Sequence, residues 1–532
     1  MKKTLITAAL LLAAITAFAQ QLEILVYTNQ RSIGRIIETQ EEIIAKQYMF
    51  PEKIYHSYVD TIAKTITVQL RGMRNNGTWV PRGQLLYYDL TTGRVRWSKN
   101  IAYPYNLQQF GSVILEGRIR LNIENGRNLW RAESGSIRFV DPVANVGVGY
   151  SMDYDGTPIN PLKGIDLETG KTIWQREISW EYNWNSVFKI NDSEWIIAAA
   201  GLHAINIHNG AGWSYHAVTG ERRLRALPPA RVTGVFSNLF AGTFMIRTSP
   251  NPTSPTLTWN IASNVYSDST SYYFASKEKI ARINRDNGEV IWVNQFPDGV
   301  PSKSFLFANN SRVFMLNYGY ASMDFRPINY GTPFFAAYDK ENGEQIFFST
   351  INVTRNPILD FKVIENELLL LLFKDRIIKY SGAQIVEKTI DNNELGELIG
   401  FINSRVYIDA ENSYLANLPL FDIYKSFILT NKGKVLIVDE ELDIVGEINT
   451  DQFYLANRRI GDYLFVTKDN KTFILDADNK KVAEIDMELN PALIGDKLYG
   501  IGENYFNEID VANLIEQLQS VQNRRQEDIA QF

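Results

Sequence analysis

One pattern recurs along this chain and constrains its fold more than any other: an acidic or Asn residue, a glycine four positions on, and an aromatic ring four further. It is clearest in Gly164-Ile165-Asp166-Leu167-Glu168-Thr169-Gly170-Lys171-Thr172-Ile173-Trp174. Apolar residues run up to Asp166, a polar turn closes on Gly170, and β-branched residues lead into Trp174, which spells a β-hairpin. Gly170 stands where the turn needs positive φ, and the short Asp166 side chain suits hydrogen bonds from the turn backbone. Trp174 is then placed to leave its own hairpin and cover the neighbouring sheet. Burying ~200 Å² of indole at ~25 cal/mol per Å² would contribute about 5 kcal/mol before entropy is subtracted.

The copies are Asp89/Gly93/Trp97, Asn122/Gly126/Trp130, Asp166/Gly170/Trp174, Asn284/Gly288/Trp292 and Asp339/Gly343/Phe347. A sixth, Asn206/Gly210, has its ring one position early, at Trp213. Beyond these the pattern decays: Tyr380-Ser381-Gly382 keeps the turn without the Trp, and the stretches at Val438-Asp439 and Asp476 to Lys480 keep only its outline. The glycines Gly93, Gly126, Gly170 and Gly210 are spaced by 33, 44 and 40 residues. A period of that size, each bracketing one four-stranded unit, means a propeller or an array.

The motif resembles the tryptophan-docking repeat of the pyrroloquinoline-quinone-type β-propellers, a group that includes quinoprotein dehydrogenases and the assembly-factor propeller of the outer-membrane β-barrel machinery. The resemblance covers roughly residues 54 to 510. It implies an all-β fold, a propeller of four-stranded blades, and the number common among relatives sets the expected count at eight, with seven and nine left open. For the dehydrogenases it would further imply a quinone cofactor, a calcium ion and an Asp base. Those enzymes carry adjacent cysteines against the cofactor, whereas this chain has no cysteine. No calcium-binding set or base matches residue by residue, so the expectation is no cofactor, no metal and no catalytic residue. Function lives in sites grafted onto a fold rather than in the fold itself.

The termini frame this body. Lys2 and Lys3, the apolar run Leu5 to Thr16 and Ala17-Phe18-Ala19 before Gln20 read as a signal peptide over 1–19. That run is shorter than the ~20 residues a bilayer span needs. No cysteine follows it, so no lipid anchor is expected. The mature chain is expected to be exported, periplasmic or secreted, and soluble, with no transmembrane span. The full sequence has a formal net charge of -6, and an acidic exported chain leaves no electrostatic footprint for nucleic acid. Residues 20–53 read as a lead-in with a short strand at Leu22 to Tyr27 and a helical patch around Glu41 to Gln47. The extra strands at Leu493 to Ile509 are expected to close the ring against the first blade. In the tail 511–532, Leu514, Leu518 and Val521 fall at helical spacing.

Three stretches are candidates for recognition. In Ser179-Trp180-Glu181-Tyr182-Asn183-Trp184 the rings Trp180, Tyr182 and Trp184 alternate, and two readings stand: packing between blades, or a stacking platform for a sugar or a partner side chain. The interval from Gly210 to Gly288 is 78 residues, about one repeat too long. The excess, a hydrophobic insertion at 211–255, contains the uncharged run Val232 to Ile246 with Phe236, Phe240 and Phe244. It is either an inserted element packed on the propeller or a projecting loop. A second insertion, Asn317 to Thr332, is rich in Tyr, Gly and Pro and includes Tyr318, Tyr320 and Tyr330.

Other chemistry is thinly signalled. His203, His208 and His216 cluster in sequence, but His203 and His208 have opposite strand parity where a zinc site wants convergent ligands. No phosphate loop, serine elbow or HExxH occurs. The expected function is therefore a non-catalytic scaffold that meets an envelope or secreted protein partner. The alternative is a carbohydrate-binding protein or a carbohydrate-active enzyme whose acids come from distant blades.

Overall fold

Alternation with period two decides where this chain extends. In Glu42–Met49, Ile43, Ala45 and Gln47 are buried while Glu42, Ile44 and Lys46 are exposed, so the stretch is a strand. The helical patch expected there is thereby corrected. In the computed structural model the described residues are 27–60, 62–102, 107–132, 136–152, 158–178, 184, 186–199, 201–216, 258–259, 262–276, 279–297, 303–323, 326–329, 331–353, 357–403, 405–409, 414–417, 425–487, 492–494 and 497–530. The segment read as a signal peptide lies outside them.

Eight separate four-stranded antiparallel sheets follow one another. By first and last strand, unit 1 runs from Lys53–Asp60 to Arg94–Ala102, unit 2 from Leu107–Phe110 to Asn128–Arg131, and unit 3 from Ser136–Asp141 to Thr172–Arg176. Unit 4 runs from Ser186–Lys189 to Ser214–His216, unit 5 from Tyr266–Ser267 to Val290–Gln295, and unit 6 from Ser304–Ala308 to Gln345–Thr350. Units 7 and 8 run from Asp360–Ile364 to Gln384–Thr389 and from Leu398–Phe401 to Ile444–Asn449. Burial differs across a unit, as between the first strand of unit 6 and the last strand of unit 7. Ser304–Ala308 is buried at four of its five positions, whereas Gln384–Thr389 is exposed throughout.

An eleven-stranded sheet supplies two further four-strand runs. Unit 9 runs from Phe453–Ile460 to Lys481–Ile485. In unit 10, Ala492–Ile494, Lys497–Ile501 and Tyr505–Asp510 are completed by Glu42–Met49, paired at Lys46 with Glu508 through Met49 with Tyr505. Strand Tyr27–Ile36 joins the outer edges of both runs.

Packing turns these units into a ring. Each interior cluster draws on two successive units, as where Trp97 of unit 1 meets Ile114 and Leu121 of unit 2. The last one returns to the start: Tyr48, Tyr499 and Phe506 of unit 10 pack with Ile66, Leu86 and Tyr88 of unit 1. Between units 8 and 9 a hairpin, Val406–Asp409 and Leu415–Asn417, is wedged. Val406 packs on Phe427 and Val435 of unit 8, while Tyr407 and Leu415 pack on Tyr454 and Leu464 of unit 9. The helix Val511–Ala530 lays Leu514, Leu518 and Val521 over units 9 and 10.

The architecture is that of an all-β propeller, and its count differs from the expected eight. The described residues hold ten four-strand units around the circuit. The expected eight is the number common among relatives, whereas this circuit runs on to a tenth unit that takes its outer strand from the lead-in. The C-terminal strands therefore pair with Glu42–Met49 and only pack against unit 1.

Candidate functional site

The recurring motif builds the joints from unit 1 through unit 6, and each of these joints has the same parts. At Asp166 the carboxylate Oδ1 accepts the backbone N–H of Glu168 at 2.8 Å and of Thr169 at 2.7 Å. Gly170 donates its N–H to the Asp166 carbonyl at 2.8 Å, closing a five-residue turn with φ of +74° at the glycine. Asp89, Asn284 and Asp339 make the same pair of side-chain bonds to the residues two and three on, and Asn122 the first of them. At Asp89, burial alone would raise the carboxyl. The Arg96 guanidinium, 2.7 Å away, and the N–H groups of Thr92 and Thr91 hold it below the ordinary carboxylate range.

The ring of each motif then docks on the glycine of the next unit. A Cβ added at Gly126 would meet Trp97 at 2.5 Å, one at Gly170 would meet Trp130 at 2.7 Å, and one at Gly210 would meet Trp174 at 2.7 Å. The series continues with Trp213 on Gly288 and Trp292 on Gly343. Each indole N–H donates to a carbonyl beside its seat: Trp97 to Ile123 at 2.6 Å, Trp130 to Leu167 at 2.7 Å, Trp174 to Ile207 at 2.8 Å, Trp213 to Arg285 at 3.3 Å and Trp292 to Lys340 at 3.0 Å. The belt ends at Phe347, which packs on Phe335 at 5.3 Å while Gly382 has open space where a ring would sit. At Gly93 the neighbours are Lys46 and the hydroxyls of Tyr88 and Tyr48, so the closing joint uses tyrosines.

The candidate recognition residues separate. Trp184 is buried, lies 5.9 Å from Phe139 and donates its indole N–H to the Tyr150 hydroxyl at 3.1 Å. It is a packing residue, and the stacking-platform reading fails for it. Trp180, Tyr182, Phe236, Phe240, Phe244 and Tyr330 lie outside the described residues. Tyr318 is half-buried, 5.8 Å from Phe361, with the Lys303 ammonium 5.9 Å over its ring. Tyr320 opens the strand Tyr320–Met323.

That strand holds a relation the sequence did not signal. Tyr320–Met323 and Arg326–Asn329 form a hairpin inside unit 6, and Thr258–Trp259 pairs with it, Thr258 opposite Met323 and Trp259 opposite Ser322. The second insertion thus meets the chain just as it emerges from the first, in a three-stranded sheet that belongs to no ring unit. Only the length of the two insertions hinted at it.

The histidines do not converge. The rings of His203 and His216 lie 5.3 Å apart, while His208 sits in the turn with its N–H on Asn206. His203 Nδ1 is 3.0 Å from the Ser214 hydroxyl. Burial, then the nearby His216 and Arg176, push the His203 imidazole down to about 3. No group of three His, Cys, Asp or Glu that could hold a metal ion occurs among the described residues.

Residues 82–294, which contain four of the five full motif copies, match the family model described as outer membrane protein assembly factor BamB. Over that stretch the chain resembles the PQQ-like β-propellers. Among solved structures this propeller is similar to BamB from Moraxella catarrhalis, with 13% identity over 71% of this chain and 94% of that one and a TM-score of 0.30. It is also similar to a eukaryotic initiation factor, with 10% identity over 90% of this chain and 98% of that one and a TM-score of 0.33. No curated protein matches the propeller in sequence. Among its described residues no helix is long and apolar enough to cross a membrane.

Proposed function

We propose that this chain is an exported, non-catalytic scaffold that holds a protein partner in the cell envelope. The observation that carries this reading is the three-stranded sheet in which the second insertion pairs with Thr258–Trp259, outside the ring units. A ring of interlocked units is a preorganised platform, so a partner docking on it orders few groups and loses little entropy. Loops on such a scaffold are where binding residues concentrate. The family match over residues 82–294 supports the same reading, because the protein its description names is an assembly factor of the outer membrane. Export rests on the signal-like segment 1–19, and cleavage there predicts a mature chain beginning at Gln20.

Mild crosslinking in the native envelope, followed by mass spectrometry, tests the proposal. One recurrent stoichiometric partner, crosslinked to the sheet around 320–329 and weakened by Arg326→Glu with folding intact, is the expected result. Absence of any partner under conditions where the protein is abundant would overturn it.

A further inference from the structure

The chain carries a net charge of -6, yet one end of its first two units is basic. Second and third strands of every unit connect at the same end of the ring. In unit 1 that connection is the long hairpin Thr65–Met73 and Trp79–Asp89, with Met73 opposite Trp79 and Arg82 opposite Ala102. In unit 2 the connection holds Arg118, between Glu116 and its partner Ile119, and Arg131 lies opposite Ile119 on the last strand. Arg74, Arg82, Arg118 and Arg131 are all exposed. Among the described residues none of the four makes an ion pair or a side-chain hydrogen bond.

At the second-to-third strand connections of units 7, 8 and 9 a cation is paired in each case. Lys374 holds Glu397 at 3.1 Å, Lys434 holds Glu447 at 3.1 Å and Lys471 holds Glu484 at 2.5 Å. Of the described acids near the basic end, Glu116 is held by Lys99 at 2.9 Å and Glu503 by Lys53, while Glu52 lies beside Gly72.

The same end exposes rings. Tyr55 and Met73 are each 40% exposed, and Tyr55 meets the half-buried Trp79 edge-on at 5.1 Å. Buried Arg71 props both from behind, its guanidinium 4.9 Å over Tyr55 and 5.8 Å over Trp79, with Nε donating to the Val80 carbonyl at 2.6 Å. Arg, Trp, Tyr and Met are the residue types enriched at protein interfaces and their hot spots.

We infer that this end of units 1 and 2 is a second docking surface, which takes an acidic, aromatic-bearing segment of a protein partner. The inference rests on the scaffold reading and adds the chemistry of a contact to it. The arginines face carboxylates of the segment, and its ring packs against Tyr55, Met73 and Trp79. Such a contact weakens with salt because its charges are exposed.

Fluorescence anisotropy with the full chain tests it, using a labelled synthetic peptide that alternates Glu and Asp with Trp and Phe. The control peptide carries Gln and Asn in place of the acids. The expected result is binding of the acidic peptide alone, weaker at high salt, and reduced about tenfold or more by Arg74→Glu with Arg118→Glu. Arg82→Gln with Arg131→Gln gives a gentler version should the reversal disturb folding, checked by circular dichroism, and Arg312→Glu, at an exposed position of unit 6, should change nothing. No binding, equal binding of the control peptide or indifference to the arginine variants overturns the inference, as does preference for a sulfated oligosaccharide over the acidic peptide. If the arginine variants still capture a crosslinked partner at full yield, the scaffold reading stands while this surface falls.

Discussion

At the scale of single residues, Trp174 does three things at once. It fills the space over Gly210, seals the cluster shared by units 3 and 4, and satisfies the Ile207 carbonyl. Trp174→Ala should therefore cost about 3–5 kcal/mol in denaturant unfolding, since it leaves a cavity and an orphaned carbonyl. Ile173→Ala, at a side chain 45% exposed, should cost under ~1 kcal/mol. Equal losses would mean that the ring is not what locks the joint. His203 makes a pH prediction. Its folded pKa, about 3, lies below the ordinary 6.5, so between those values the unfolded chain binds the extra proton. Stability contributed there is present above pH 6.5 and is lost as pH falls toward 3. His203→Gln should flatten the decline in melting temperature between pH 7 and 5, and an unchanged slope would assign the acid sensitivity elsewhere. The Asp-Gly-Trp spacing was legible because turn and ring lie close in sequence. The seat of each ring was not, because it belongs to the next unit. Trp184 misled because alternation shows that rings share a side of a strand, not whether that side faces solvent.

At the scale of elements, the joints without tryptophan are made by other means. The wedge hairpin is one of them: Tyr407 is 6% exposed and faces Tyr454 and Leu464. Tyr407→Ala should destabilise by about 3 kcal/mol or more, read by urea unfolding, and Tyr407→Phe should recover most of that loss because the packed ring remains. If the Phe variant is as weak as the Ala variant, the hydroxyl rather than the ring matters. The run Leu368–Leu372 is a strand buried at four of its five positions, since a continuous apolar run suits burial on both faces. The wedge went unread because a short hairpin inserted between two strands has no repeat to match.

At the scale of the whole molecule, the ring exists only if its two ends meet. Tyr48 stacks on Phe506 at 4.4 Å, and the Gln47 amide donates to Asn507 at 3.1 Å. Removing residues 27–49 uncovers the edge of Tyr505–Asp510 and takes Tyr48 out of the closing cluster. That truncation should lower the melting temperature by roughly 10 °C or more and promote association visible by analytical ultracentrifugation. A monomer of unchanged melting temperature would show that closure contributes nothing. The repeat announced a ring, but its count depended on a strand lying before the first motif. Gln47 and Asn507 are 460 positions apart. At about 5–20 residues per second, a ribosome needs roughly 20–90 s to get from one to the other. The strand made nearly first, paired on one side with Tyr27–Ile36, must wait on its other side for the partner made nearly last, and throughout that interval the nascent chain offers an open edge to any neighbour or chaperone that reaches it.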